Sequence, residues 1–234
     1  MTAVFRRELC AYFYSPIGYI FLAVFYFFAG IFFFFGPLLG SYSDLGTVFS
    51  GLYAVLLFLI PILTMRIVSE DLRHKTDQLL LCAPVSLSRV VLGKYLAAVA
   101  IFLFGLLITL VFALVISAFT PPGWAAFWGS FFSTLLLGMA MISIGMLISA
   151  LTENQMIAAA GGFAAGMLLL IIDSLAGVFP NPVVVKIFMA LSFYDRYYSF
   201  HMGIFDLSSV IFFLSVCAVF VFLTIRVLEK RRWG

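Results

Sequence analysis

At 234 residues the chain is 65% hydrophobic and 10% charged, with a mean hydropathy of +1.22 and a formal net charge of +3. A soluble domain is about 45–50% apolar and about 25% charged, so this composition excludes a soluble globular protein and reads as an integral membrane one. The small positive excess does not imply a nucleic-acid partner, because the bases sit at the ends of apolar runs, where membrane topology explains them.

The runs are unbroken rather than alternating, which favours a helical bundle over a barrel. Barrel strands need segments of about 10 residues that alternate polar and apolar, whereas a helix needs about 20 apolar residues to cross about 30 Å of hydrocarbon. Phe-rich tracts such as 32–35 have strand propensity, but an open strand in lipid leaves its backbone polar groups unpaired. Cys10, Cys82 and Cys217 are widely spaced, odd in number and without a CxxC. They read as small buried hydrophobes rather than a disulfide or metal framework.

Taken in order, Phe5, Leu9, Tyr12 and Phe13 recur at helical spacing against Arg6, Arg7 and Glu8, the pattern of a helix lying in the interface with its apolar face down. Ser15-Pro16 breaks it, because proline disfavours helix in the residue before it, and an elbow helix leading into the first span results. That span, near 17–39, is longer than a signal-peptide h-region of 7–15 residues and no A-x-A-like site follows, so the first span is expected to be retained. Five further spans fall near 48–68, 91–118, 128–151, 155–177 and 207–226, with 1–234 read as one transmembrane domain.

Between spans two and three, residues 66–94 read RIVSEDLRHKTDQLLLCAPVSLSRVVLGK and hold eight of the 23 charged side chains. The stretch contains no nucleophile–base pair, metal-ligand spacing or phosphate loop, so it reads as a docking element rather than a site of chemistry. Ser69 can cap a helix whose first turn carries Glu70 and Asp71, where the positive helix end favours carboxylates. Arg73, His74, Lys75, Thr76 and Asp77 follow, then three leucines, until Pro84 stops the helix. Ser86 or Ser88 can cap the next one, which runs through Arg89 and Lys94 into span three. The element expected over 69–88 is a short helix parallel to the membrane, polar outward and leucine-rich toward the bundle.

Gly138 and Gly145 on span four, and Ala158, Gly162 and Gly166 on span five, are small residues of the kind at which helices in lipid approach closely. They are expected to serve packing within the chain or between copies. The turn LTENQ at 151–155 joins the two spans and carries Glu153. Beyond span five, which Asp173 ends, Pro180 and Pro182 bracket Asn181, and VVVKIFMALSF is too short to cross. A re-entrant or interfacial helix fits it. Asp173, Tyr194, Asp195, Arg196, Tyr197 and Tyr198 read as an aromatic, polar rim at headgroup level, either an interface anchor or a substrate exit rim.

The bases set the orientation. With the N-terminus inside, Arg6, Arg7, Arg66, Arg73, Lys75, Arg89, Lys94, Arg226, Lys230, Arg231 and Arg232 face the cytoplasm, which is 11 of 13, leaving Lys186 and Arg196 outside. The positive-inside bias selects this arrangement. A multi-pass protein of the bacterial cytoplasmic (inner) membrane, N-in and C-in, is expected.

The order E-D-x-R-x-K-T-D-Q-L-L-L-x-A-P-V-S followed by V-L-G-K resembles the first cytoplasmic loop of type-2 ABC exporter permeases. The usual pattern there is two acids, a base, Gly-Thr, an acid and Leu-Leu. RRELCAYFYSPIGYI, SALTENQMIAA and RVLEKRRW agree with it, and SFYDRYYSFHMGIFDLSSV is similar to the gliding-motility-type branch. The resemblance covers essentially the whole chain. Lys75 stands where the family usually has glycine before Thr76, so continuous helix is expected to replace a turn there. The resemblance implies an all-α, six-span permease that pairs with a second copy or a homologue above two cytoplasmic ATPase subunits. It implies re-entrant helices between spans five and six, and loop 69–88 as the coupling helix. Glu70, Asp71, Arg73, Lys75, Thr76 and Asp77, with Glu153 from the short turn, would be the ATPase-coupling residues.

The chain has no G-x-x-x-x-G-K-[ST], since Gly93-Lys94 lacks the first glycine and the Ser/Thr, so ATP and Mg are expected on the partner ATPase. No catalytic, cofactor-binding or metal residue is expected here. Three functions stay open: an exporter permease for an amphipathic or lipid-like substrate; a permease-like subunit that transmits ATPase motion to a periplasmic or surface machine with a periplasmic-domain partner; and an intramembrane enzyme. The last needs a buried polar pair, yet His74 and His201 fall on opposite sides of the membrane. Ionisable residues are nearly absent from the spans, where a charge costs about 2.5–3.5 kcal/mol. That disfavours ion-coupled transport and favours an externally powered path.

Overall fold

Among the described residues of the computed structural model, which are 2–40, 45–73, 86–119, 123–175, 192–201 and 206–233, every regular element is a helix and none is a strand. In chain order they are α1 Thr2–Tyr14, α2 Pro16–Phe33, α3 Gly46–Thr64, α4 Ser69–Arg73, α5 Leu87–Ser117, α6 Trp124–Leu151, α7 Gln155–Leu175, α8 Phe193–His201 and α9 Leu207–Trp233. Six of them, α2, α3, α5, α6, α7 and α9, are long and apolar enough to cross a membrane. The expected interfacial run VVVKIFMALSF falls almost wholly at 183–191, outside the described residues.

Helix ends follow local chemistry. The Ser15 amide closes α1 on the Ala11 carbonyl at 3.1 Å, and the Ser15 hydroxyl accepts the Ile17 amide at 3.3 Å. Pro16 begins α2, where its missing N–H costs nothing and its fixed φ suits a helix. The corner is tight: a Cβ on Gly18 would stand 2.5 Å from the Tyr12 carbonyl oxygen. At its far end α2 widens into a π-helical turn, Phe34–Leu38, around Pro37. A proline there can neither donate to the carbonyl four residues back nor avoid its oxygen, and the wider turn relieves both conflicts.

The core is built on α3 and α6. Leu52, Leu56, Leu57, Ile60 and Leu63 are buried on the first, and Leu137, Ala140, Met141 and Met146 on the second. α6 packs against α3, α4, α5, α7, α8 and α9. Its buried hydroxyls return to its own backbone, Thr134 to the Ser130 carbonyl at 2.8 Å and Ser143 to Ala140 at 2.7 Å, so small polar residues sit there without orphaned groups. Phenylalanines of α2 fill the space toward α5, with Phe33 stacked on Phe112 at 4.3 Å between ring centres.

The glycines mark where backbones meet. Gly138 faces the Phe102 ring of α5, and Gly145 faces Thr64 of α3. On α7, a Cβ on Gly162 would lie 2.8 Å from the Pro61 ring, and one on Gly166 would lie 2.6 Å from the Leu57 carbonyl oxygen. Ala158, one turn before, is buried. All four glycines therefore meet neighbours within the same chain.

Beyond the span expected near 207–226, helix α9 continues to Trp233, carried past its apolar part by an Arg226–Glu229 pair at 2.9 Å of the kind that stabilises exposed helix. Within the stretch expected as span two, helix α3 ends at Thr64 and Met65–Val68 form a turn. One expectation changes. Cys10 is exposed, unlike buried Cys217.

Candidate functional site

Most of the described charged residues gather at one end of the bundle, and the turn after α3 organises them. Pro61 lies in the last turn of α3, where its carbonyl accepts the Met65 amide at 2.9 Å and the Thr64 hydroxyl at 3.3 Å. The chain then turns through Met65–Val68 into α4. Ser149, near the end of α6, holds this turn. Its Oγ accepts the Val68 amide at 3.2 Å and the Ser69 amide at 3.0 Å, and donates to the Met65 carbonyl at 3.1 Å. Ser69 does not cap α4 with its side chain as expected: its hydroxyl turns back to the Met65 carbonyl, and the capping oxygen comes from a different helix. Ser86 stands at the N-cap position of α5 with extended backbone.

Lys94 is the centre of the charge network. It sits in the second turn of α5 with its side chain 6% exposed. Its ammonium has three donors, and three acceptors meet them: Asp71 Oδ2 at 2.7 Å, Glu8 Oε1 at 3.1 Å and the Ile67 carbonyl at 2.9 Å. Helix α5 has 31 residues where about 20 suffice to cross, so a charge this near its end can lie outside the hydrocarbon. Glu8 also takes Arg7 Nη2 at 2.6 Å, a bond that raises the Arg7 pKa above its ordinary value despite partial burial. Arg66 pairs with Glu70 one turn on. Next to them Tyr12 donates to the Leu63 carbonyl at 3.1 Å, and burial pushes its phenol pKa up. A cavity of about 300 Å³ opens between Arg7, Arg66, Lys94, Glu8, Glu70 and Asp71, three bases against three acids.

Arg73, exposed at the end of α4, lines a second cavity with Glu153 and Asn154 from the α6–α7 turn. Asn154 caps α7 by accepting the Met156 amide at 2.9 Å. Arg231 of α9 reaches the same turn, 3.9 Å from Glu153 and 3.4 Å from the Leu151 carbonyl. Glu70, Asp71, Arg73 and Glu153 thus come together at one end. Lys75, Thr76 and Asp77 lie outside the described residues. Among the described residues, no three His, Cys, Asp or Glu side chains converge as a metal site.

The opposite end is aromatic. Tyr197 of α8, expected on a rim, is fully buried. Its hydroxyl donates to the Phe49 carbonyl at 2.8 Å and meets the Thr134 hydroxyl at 3.0 Å, while its carbonyl accepts Ser133 Oγ at 3.2 Å. Those bonds pin α8 to α3 and α6. Tyr194 and Tyr198 stay exposed and stack at 5.9 Å. Asp195 is exposed as well, and Arg196 lies over the Phe212 ring at 4.2 Å. Asp173 belongs to α7, with its side chain outside the described residues.

Glu8, Lys94 and Ser149 carry this geometry; the sequence placed Glu8 on a polar helix face and Lys94 among the orienting bases, but paired neither, and gave Ser149 no role. A signal existed for two of them: both charges fall on the helix face that carries buried neighbours. A protein-family model described as ABC-2 family transporter protein matches residues 40–226. No curated protein matches the chain.

Proposed function

The chain belongs to the ABC-2 transporter family, and from that premise we propose that it is the membrane-spanning permease subunit of an ATP-binding-cassette exporter. Permeases of this family generally work with a cytoplasmic ATPase subunit. In our reading two such subunits bind the charged end, and ATP and Mg act there rather than in this chain. A second permease copy or a homologue completes the pathway. The charged end faces the cytoplasm of a bacterial inner membrane, α1 lies in the interface as an elbow, and 69–88 is the coupling element. The re-entrant segment that the resemblance implies falls at 176–191, outside the described residues. Within the family, the motif at 192–210 is our ground for the gliding-motility-type branch. Transmission to a surface machine without solute transport would use the same docking end, and no observation favours it.

The family match carries this reading. The convergence of Arg73 and Glu153, which lie far apart in sequence, on one cavity supports it. Arg73 and Glu153 are also the cleaner probes of docking, because Glu70 is held by Arg66 within the chain, whereas Arg73 is exposed and Glu153, though 3.9 Å from Arg231, keeps its side chain largely exposed. Truncating one member of a desolvated interface charge pair costs about 2–5 kcal/mol, whereas a solvated charge costs about 0–1 kcal/mol. Arg73→Glu and Glu153→Arg should each abolish ATPase co-purification from detergent extract while the permease stays monodisperse in gel filtration. Full ATPase recovery with both variants would rule out docking at this end.

A further inference from the structure

Lys94 joins three separate parts of the chain at one atom: α1 through Glu8, α4 through Asp71 and the intervening turn through the Ile67 carbonyl. We propose that Lys94 is a positioning residue that ties α1 to α4, so that a displacement of α4 is passed to α1 through the Glu8–Lys94–Asp71 link. The proposal rests on the docking of α4 against an ATPase stated above.

Simple adhesion does not account for the arrangement. Well-packed apolar side chains of similar volume hold buried segments together as well as or better than an ion pair. A charged link differs in being directional and in carrying a flexible four-carbon stem, so the ammonium can keep both carboxylates while they shift. Room to shift is present, because the cavity of about 300 Å³ adjoins the link, whereas close-packed interiors leave little void. The other tie between α1 and this region leads to the same place: Tyr12 bonds the Leu63 carbonyl just before the turn. These two polar ties of α1 therefore reach the α3–α4 junction on either side of Met65–Val68, while its apolar packing lies against α5. Arg7 cannot replace Lys94, since it bonds Glu8 on its own helix and spans nothing.

The test uses the full chain co-expressed with its ATPase, in a cysteine-free background, with nitroxide labels at Arg6 and at Phe119, both exposed. Pulsed electron resonance reads the Arg6–Phe119 distance without nucleotide and with a non-hydrolysable ATP analogue. In the unaltered protein the distance distribution should shift on nucleotide binding. Lys94→Met should still recover the ATPase but lose the shift, Glu8→Gln should do the same, and Lys94→Arg should keep part of it. A full shift in Lys94→Met or Glu8→Gln overturns the link. If Lys94→Met aggregates in gel filtration, Glu8→Gln, which takes the charge from one of the three acceptors and leaves Asp71 and the Ile67 carbonyl in place, decides. An unaltered protein that recovers the ATPase but shows no shift overturns the link and leaves docking standing. Failure to recover any ATPase removes docking and the link with it.

Discussion

Gly166→Ala is the sharpest probe of how the bundle is held, because the added atom meets backbone. Its Cβ would stand 2.6 Å from the Leu57 carbonyl oxygen, and a relaxed carbon–oxygen contact is about 3.3 Å, so α7 and α3 must part by roughly 0.7 Å. Leu57 cannot yield, being fully buried in mid-helix. Pro61, four residues on, has no N–H to return to that carbonyl, which is why the oxygen can be presented to α7 at all. Overpacking of this kind costs about 1–3 kcal/mol, and a gap of 0.5–1 Å forfeits about a quarter to a half of each dispersion contact along the seam. Against this, alanine gains about 1 kcal/mol over glycine in a helix. A net loss of about 1–2 kcal/mol is expected.

Gly30→Ala is the internal control, since nothing lies within 4 Å of its Cβ position. It should gain up to about 1 kcal/mol from propensity alone. SDS-induced unfolding in mixed micelles, followed by circular dichroism, should therefore move the two midpoints in opposite directions. A Gly166→Ala midpoint at or above the unaltered protein would show that α7 does not seat on the Pro61 region of α3.

Tyr197→Phe removes the hydroxyl shared by the Phe49 carbonyl and Thr134. Thr134 keeps its bond to the Ser130 carbonyl, so the cost is that of a lost hydrogen bond, about 0.5–1.5 kcal/mol; amide exchange across α8 should accelerate, and unchanged exchange would contradict the pinning role. Asp206 caps α9 by accepting the Ser209 hydroxyl at 2.8 Å and the Ser208 amide at 3.0 Å, bonds that hold its pKa below the ordinary value. A depressed carboxyl contributes fully above its unfolded pKa of about 3.9 and loses that contribution as pH falls through the folded value. Exchange at the Ser208 amide should thus be pH-corrected flat from neutrality to about pH 5 and rise in stronger acid, a rise that Asp206→Ala should abolish by exchanging fast throughout.

The six apolar helices were legible because lipid leaves an apolar run of 20 residues no alternative to satisfying its own backbone. Their ends were less so. Helix α9 outruns its apolar stretch on the strength of a side-chain pair that hydropathy does not register. Ser69 had the right chemistry for a cap, yet the oxygen that caps the turn belongs to Ser149, 80 residues away. Gly162 and Gly166 could be recognised as a contact ridge from spacing alone. That the ridge meets a proline-bearing helix could not, because the choice of neighbour is made by the whole bundle.

Glu8 and Lys94 are a different case, since position within each helix already placed them. Glu8 stands four residues before Tyr12 on α1, hence on the same face, and Tyr12 is buried. Grouping Glu8 with Arg6 and Arg7 as a solvent-facing acid followed its chemistry rather than its spacing. Lys94 likewise lies three or four residues from Val90, Val91, Ala97 and Ala98, all buried. Two opposite charges, each on the buried face of its own helix, must either be paired or bear an uncompensated desolvation cost of several kcal/mol. The chain has only 10 acidic residues, so few could answer Lys94. Asp71 opens the polar insert that leads back to α5, and Glu8 lies on the buried face of α1. Spacing therefore states the requirement for a partner, and the packing of α1 against α5 supplies Glu8 to meet it.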